Sequence, residues 1–499
     1  MQTLAITAER PRFLVWGARR RRLGSLVIPI RRSYVFIMPA MLLGGAVFGW
    51  ALGNDFAMIV DAVLLGSIAA YLFFDLLGRR GPLRVTHLLA ATLGLAYGLG
   101  TANTWFTLPR GDETLGVFLG LSPSDLSHAM ATILAAIAIL LIYGELFETP
   151  VFGEEFQLAF NNRTLTFLTI GTLVIIGSFL HGSTGFMGAA TSDVGANAGH
   201  VGVLASLSEW LSSPLLAVSA CLALNGSTRF TRNYARVLTV ILFVLTFPLG
   251  RRVMFYAIVL CIISLRLGRY KLPFSPLKKA VYLGLVGGVV YAASIGFYYL
   301  RLGSSGLVKP TLVQRVEAAI ALSHQKSYTE IKAQISENVE NRTFILGFLS
   351  ELEGYTDSMD SAHGQDLVSQ VELAIPSALD PGKDLFFSEE SLANDLFGSN
   401  FPDEANSVFT AGAIDFGVWG MLFYPLLFAV IMRLFLEVVS ESLPVFVSCF
   451  IVLATCSQLL EPEIAVTAYV IVIRDAFSFG LGVWFINSLP EFRFKKMGL

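Results

Sequence analysis

The residues best suited to chemistry in this chain are charges in apolar company. Arg251 and Arg252 stand side by side in "FPLGRRVMFY", between two apolar runs. Adjacent guanidinium groups form a fork matched to phosphate or pyrophosphate oxygens; a tight turn that tolerates snorkelling arginines is the plainer reading. The stretch "PDEANSVFTAGAIDFGVWG" has the opposite character: Asp403, Glu404, Asn406 and Ser407 stand where a long apolar run begins, and Asp415 lies about one turn inside it. Groups so placed can accept hydrogen bonds, or a proton, at the edge of the apolar run. They also suit an ordinary helix start, with Asp403 or Ser407 as N-cap and the acids set against the helix dipole. Asp415 is either a structural partner or a base lining a cavity. Arg474 and Asp475 lie within the last apolar run, in "VIVIRDAFSFG", where ionisable groups face a cavity or a partner. Asp475 or Asp61 is the expected partner of Arg474. None of the six histidines shows zinc-ligand spacing, so no metal site is expected; His363, on the Gly-flanked turn "DSAHGQD", is a further candidate for proton transfer.

The elements that must position these groups follow from composition. The 499 residues are 54% hydrophobic and only 14% charged, with a mean hydropathy of +0.66, whereas ordinary globular domains are about 25% charged. Apolar runs long enough to cross a hydrocarbon core of about 30 Å recur along most of the chain. The expected class is an all-α polytopic integral membrane protein, because continuous runs exclude the short alternating segments of a barrel. About twelve transmembrane helices are expected, near 34–54, 56–77, 85–106, 127–147, 164–183, 201–224, 235–250, 252–268, 279–300, 409–436, 443–460 and 464–488. The four cysteines fall in or near these runs and are read as packing residues. GxxxxGK[ST] and GxSxG are missing, and no convincing GxGxxG follows a strand, so nucleotide-driven chemistry on the inner face has no support.

Lys and Arg fix the expected orientation. The basic N-terminus (1–33), "GRRGPLR", "TRFTRNYAR", "RLGRYKLPFSPLKK" and the tail "FRFKKMGL" (489–499) fall on one side, which places both termini in the cytoplasm. Helices 1–9 then occupy 34–300 and helices 10–12 occupy 409–488, with one large external insertion at 301–408. That insertion holds seven Lys/Arg against seventeen Asp/Glu, a net charge of −10, which leaves +8 for the rest of the chain. The asymmetry is what translocation bias produces and by itself argues no function. Apolar residues recur at helical spacing from Leu312 to Leu352, which predicts amphipathic helices lying on the membrane surface or capping the bundle. A loop of this length with its own patterned helices is typically a lid or binding element.

Several features then coincide: an outward "GRR" opening a span, a long external loop before the last three spans, and the loop's closing stretch. In that stretch come Pro376 to Lys383, Asn406–Ser407, and Phe416–Gly417 to Gly420. This arrangement resembles the Wzy-type O-antigen and exopolysaccharide repeat-unit polymerases, by topology over most of the chain and by sequence over about a tenth of it. The resemblance implies a GT-C-like fold and an inverting, metal-independent, cofactor-free glycosyltransferase. Such an enzyme transfers a growing glycan from undecaprenyl pyrophosphate to the next lipid-linked repeat unit. It would work at the periplasmic face of a bacterial inner membrane, with the bilayer, the lipid-linked oligosaccharide and a chain-length-regulating membrane protein as partners, and no nucleic acid. It further implies that Arg251 and Arg252, helped by Arg315 and Arg342, stabilise the leaving pyrophosphate. Lys383, Asn406, Ser407 and Arg474 would bind substrate, and Asp403, Glu404, Asp415 or His363 would serve the acceptor hydroxyl. An external-loop histidine used by many ligases of the wider superfamily has no aligned counterpart in His324 or His363.

Readings of other kinds remain open at this level. An O-antigen ligase or another GT-C transferase differs in acceptor. A lipid-linked oligosaccharide flippase would show internal repeats and short loops, and neither is evident here.

Overall fold

A computed structural model describes residues 36–78, 84–107, 121–148, 162–180, 203–226, 228–247, 251–267, 312–326, 345–358, 361–375, 388–398, 406–443, 445–463 and 465–488, with scattered positions between 284 and 302 and at 329–330. Among these residues all regular structure is helical. In chain order the helices are α1 (Ile37–Leu52), α2 (Asp55–Gly78), α3 (Val85–Gly94), α4 (Gly100–Thr107), α5 (Pro123–Leu146), α6 (Asn162–Leu180), α7 (Val203–Asn225), α8 (Arg229–Thr246) and α9 (Arg251–Leu267). The insertion supplies α10 (Leu312–Gln325), α11 (Ile345–Ser358), α12 (Gln365–Ala374) and α13 (Glu389–Phe397), and the chain continues through α14 (Val408–Ser442), α15 (Val445–Leu459) and α16 (Val466–Ser488). A π-helical turn, Leu95–Leu99, joins α3 to α4.

Four stretches are long and apolar enough to cross a membrane: Asp55–Leu76, Val85–Phe106, Pro123–Leu146 and Val408–Ser442. Shorter apolar helices run through Ile37–Leu52, Leu165–Ser178, Trp210–Asn225, Val253–Leu265 and Val447–Leu459. Their surfaces are inverted relative to a water-soluble domain. Val47, Phe56, Phe74, Ile170, Leu173 and Trp419 are exposed, while Asp61, Ser127, Thr86 and Asp415 are buried. Lipid tails cover apolar groups without penalty, so the polar side chains turn inward to find partners.

Local chemistry sets several helix starts. Ser122 caps α5 ahead of a proline at N1, and Thr228 and Ser388 accept from backbone N–H groups at the starts of α8 and α13. Ser407 and Thr410 form a reciprocal capping box at the start of α14. Gly53 takes the left-handed conformation that ends α1 (φ 54°). The Glu148 carboxylate reaches back to cap α3, accepting from the Val85 N–H at 2.5 Å and from the Thr86 hydroxyl.

Two groups of helices share one apolar core. In the first, α5 packs against α1, α2, α3, α11 and α14; in the second, α7 packs against α6, α8, α9, α15 and α16. Contacts of α15 with α3 and α14, and of α9 with α2, join the groups. The insertion's helices divide as their patterns suggest: α11 buries Ile345, Leu346, Phe348, Leu349 and Leu352 against the bundle, whereas α10 leaves Val316 and Ile320 exposed.

Candidate functional site

The expected tenth span, 409–436, falls within α14, a helix long and apolar enough to cross a membrane, and the structure adds a break within it. A straight helix over the 35 residues of α14 would run about 52 Å, well beyond a hydrocarbon core of about 30 Å. The chain instead breaks at Phe416 and Gly417, which leave helical geometry (φ −144°, ψ 18° and φ 57°, ψ −139°). The second of these is open only to glycine. The segment 408–415 therefore doubles back on the helix beyond the break. A Cβ built on Gly420 would lie 1.8 Å from the Gly412 carbonyl oxygen, and one on Gly412 would lie 2.5 Å from that of Gly420. These two glycines pack against each other.

The broken end is closed by the turn before α12. The Ala362 and His363 N–H groups donate to the carbonyls of Ile414 and Asp415 at 2.8 and 2.9 Å. The Asp415 side chain returns the service. Its Oδ1 accepts from the Asp366 N–H at 2.9 Å and its Oδ2 from the Leu367 N–H at 3.0 Å, at the N-terminus of α12, and the Tyr424 hydroxyl donates to Oδ2 at 2.5 Å. The N-cap position itself is Gly364, which has no side chain to offer. A carboxylate of another helix thus fills the role of a cap and sits at the positive end of the helix dipole.

The other end of α12 receives the opposite charge. Arg474 of α16 donates to the Ala374 carbonyl at 2.6 Å and pairs with Asp475 at 2.8 Å. Of the two expected partners of Arg474, the structure thus selects Asp475; Asp61 has no hydrogen bond to it. Midway, the Thr467 hydroxyl donates to Gln370 Oε1, and Gln370 Nε2 donates to Asp366 Oδ1 at 3.1 Å. A ten-residue helix of the insertion is held at both ends and its middle by α14 and α16.

Beside this clamp lies a pair of buried acids, Asp366 and Glu389, 0% and 1% exposed. Burial pushes the Asp366 carboxyl up to about 7, with the neighbouring Asp415 charge adding to the effect and the Gln370 hydrogen bond opposing it. Burial likewise pushes Glu389 well above the usual carboxylate range, followed by the charge of Asp366. Neither oxygen of Glu389 completes a hydrogen bond among the described residues. The adjacent Thr410 hydroxyl, which also donates to the Ser407 carbonyl at 2.8 Å, opposes that rise. Glu390, next along, accepts from Asn406 Nδ2 at 2.7 Å.

On the far side of the break a cleft of about 530 Å³ opens, lined by Ser361, His363, Phe416, Trp419, Gly420, Phe423, Tyr424 and Leu427. Trp419, Phe423 and Leu427 recur every fourth residue, so they form one stripe on α14. Their exposure of 69%, 50% and 40% leaves that stripe uncovered. His363 stands on the polar rim, exposed, with its Nδ1 3.3 Å from the Ser361 hydroxyl. Among the described residues it is the only non-glycine with positive φ (50°). Such a conformation persists where surroundings enforce it; here its N–H is tied to the Asp415 carbonyl.

The sequence-derived candidates are thus partly assembled. Asp415, His363 and Arg474 converge on α12. Ser407 caps α14 and meets the Tyr97 hydroxyl at 2.7 Å on the π-turn, a backbone irregularity frequent at functional sites. Asn406 binds Glu390, so Ser407 and Asn406 are both engaged by protein groups. Arg251 and Arg252 open α9 and Arg315 lies on α10, with the side chains of all three outside the described residues. Asp403, Glu404, Arg342 and Lys383 lie outside the described residues altogether. Sequence reasoning passed over Asp366, Glu389, Tyr97, Tyr424 and the aromatic stripe. The four-residue spacing of Trp419, Phe423 and Leu427 was a signal available for the last of these. No family model, no curated protein and no solved structure matches the chain.

Proposed function

We propose that the chain is a membrane glycosyltransferase that joins undecaprenyl-pyrophosphate-linked oligosaccharide repeat units at the periplasmic face of the inner membrane. The observation that carries this reading is the cleft: an uncovered aromatic stripe on a membrane-length helix, running up to a polar rim that bears His363. An isoprenoid chain is an apolar ligand for such a stripe, and its headgroup would lie level with the rim. In the reaction the acceptor sugar hydroxyl attacks the anomeric carbon, the bond from that carbon to the pyrophosphate oxygen breaks, and the hydroxyl proton passes to the His363 imidazole. The pyrophosphate leaves with the bonding pair, and Arg251 and Arg252 are the groups whose chemistry suits its charge. Asp415 acts as a positioning residue, because its carboxylate is occupied by α12 and Tyr424 while its carbonyl holds the His363 N–H.

The test compares surface and lipid-linked glycans of cells carrying the wild-type chain, a deletion, and His363→Asn, with insertion of the variant verified. Asn tolerates the left-handed backbone and lacks the basic ring nitrogen. Carrier-linked or core-linked single repeat units on the outer side of both mutants support the reading. Units trapped on the cytoplasmic face of the deletion strain make the protein a flippase. Long chains that remain on the carrier and never reach lipid A core make it a ligase.

A further inference from the structure

Remote from the cleft, a second buried acid has no hydrogen-bond partner among the described residues. Asp61 of α2 is 0% exposed, and neither of its carboxyl oxygens makes a hydrogen bond there. It sits where α1, α2 and α5 meet, in a notch that two glycines of α1 leave open. A Cβ on Gly45 would lie 2.8 Å from Asp61 Oδ1, and one on Gly49 would lie 2.4 Å from Oδ2. Ala131 and Leu134 of α5 close the same notch with hydrocarbon. Of the buried hydroxyls on this part of α5, Ser127 donates to the Gly49 carbonyl at 3.0 Å and Thr132 to the His128 carbonyl at 3.0 Å.

No counter-charge is at hand on these helices. None of the three contains a lysine or an arginine, and α1 contains no titratable residue. On α2 the nearest titratable group is Asp55, roughly 9 Å along the helix at 1.5 Å per residue. On α5 they are Asp125, in the first turn, and His128, whose ring stacks on Trp50 at 4.6 Å. Of the other elements packed against α2, the π-turn Leu95–Leu99 contributes only the Tyr97 hydroxyl, which is bonded to Ser407; α3 carries His87, which pairs with Glu145 beside Arg84; and α9 carries Tyr256 and Cys261, with arginines only in its first and last turns. A bare carboxylate sealed among apolar groups without a donor carries a desolvation penalty of several kcal/mol. A proton is the ligand that removes that charge without opening the packing.

We propose that this notch is an intramembrane proton-binding site, in which Asp61 holds a proton while α1, α2 and α5 are packed and releases it when they part. On release the O–H bond breaks, the proton passes to water and the carboxylate stays on α2. Separation of these helices therefore becomes easier as pH rises, whatever reaction the chain performs.

The test uses the purified full chain in lipid nanodiscs. Infrared spectroscopy at pH 7 reads the carbonyl stretch of protonated carboxyls, which shifts on transfer to deuterated water. One carboxyl's intensity is expected to disappear in Asp61→Asn and to remain in Asp55→Asn. Should Asp61→Asn fail to insert, Asp61→Ser takes its place, since it leaves the notch unfilled. An unchanged band in the Asp61 variant overturns the site. Amide hydrogen exchange of α1 and α2, corrected for intrinsic rates, then reads the coupling. Opening in the wild type is expected to rise by up to about tenfold per pH unit, the limit for one proton released, and to be flat in the variant. A flat wild-type profile overturns the coupling even where the band is present.

Discussion

Asp415 and Asp61 are equally buried, both at 0% exposure, yet they have opposite surroundings. Asp415 accepts three hydrogen bonds, two from backbone N–H groups and one from Tyr424; Asp61 accepts none among the described residues. Burial alone therefore does not assign a role to an acid in a helical bundle. Donors decide it. A carboxylate with convergent N–H groups is a fastener for whatever supplies them, whereas one among glycines and alkyl groups is stable only without its charge.

The contrast is sharpest in truncation. Asp415→Ala leaves one buried and one half-buried N–H group and a phenol without acceptors, at roughly 1–3 kcal/mol for each buried group. A loss of several kcal/mol is expected, seen as a large drop in the thermal midpoint in detergent and as proteolysis within α12. Asp61→Asn, by contrast, is expected to stay within about 1 kcal/mol of wild type, because no acceptor role is removed. Equal losses in the two variants would break the comparison.

The acid pair beside α12 supplies the next largest effect. Asp366 and Glu389 have carboxyl pKa values raised in the folded protein, so the stability tied to them is fully present below the ordinary carboxylate range. It is lost as pH rises through about 7 for Asp366. The thermal midpoint should fall by a few degrees between mildly acidic and mildly alkaline buffer, and Asp366→Asn with Glu389→Gln should flatten that dependence. A midpoint that rises over the same interval would contradict the assignment. The smallest effect belongs to the far end of the clamp. Arg474→Lys keeps the charge but loses the guanidinium geometry that serves Asp475 and the Ala374 carbonyl together, which should cost about 1 kcal/mol in the same melting assay.

How much of this was legible in the sequence depended on distance along the chain. Composition and run length were enough for an all-helical architecture with membrane-length segments, because lipid constrains every residue of a span alike. Ser407 as a helix cap was legible too, since a cap bonds within three residues. The break in α14 was not. Gly412, Gly417 and Gly420 are there to be read in the sequence, but glycine spacing does not tell a helix that packs on a neighbour from one folded onto itself. Asp415 was visible as an anomaly without an owner: the N–H groups it serves lie 49 and 48 positions earlier. Asp366 and Glu389 were hidden among the seventeen acids of the insertion, where only tertiary packing separates a buried carboxyl from a solvated one.

The clamp on α12 also implies an order of assembly during synthesis. Domains form as the ribosome delivers them, N-terminal parts first, and here α12 emerges before either helix that completes it. Its amino end waits for α14 to bring Asp415, and its carboxyl end waits longer, until α16 brings Arg474 one hundred residues later. A nascent chain halted after α14 would therefore present a half-fastened helix. α16 is in that sense the bolt that closes a fitting begun far upstream, and loss of α16 would be felt first in α12.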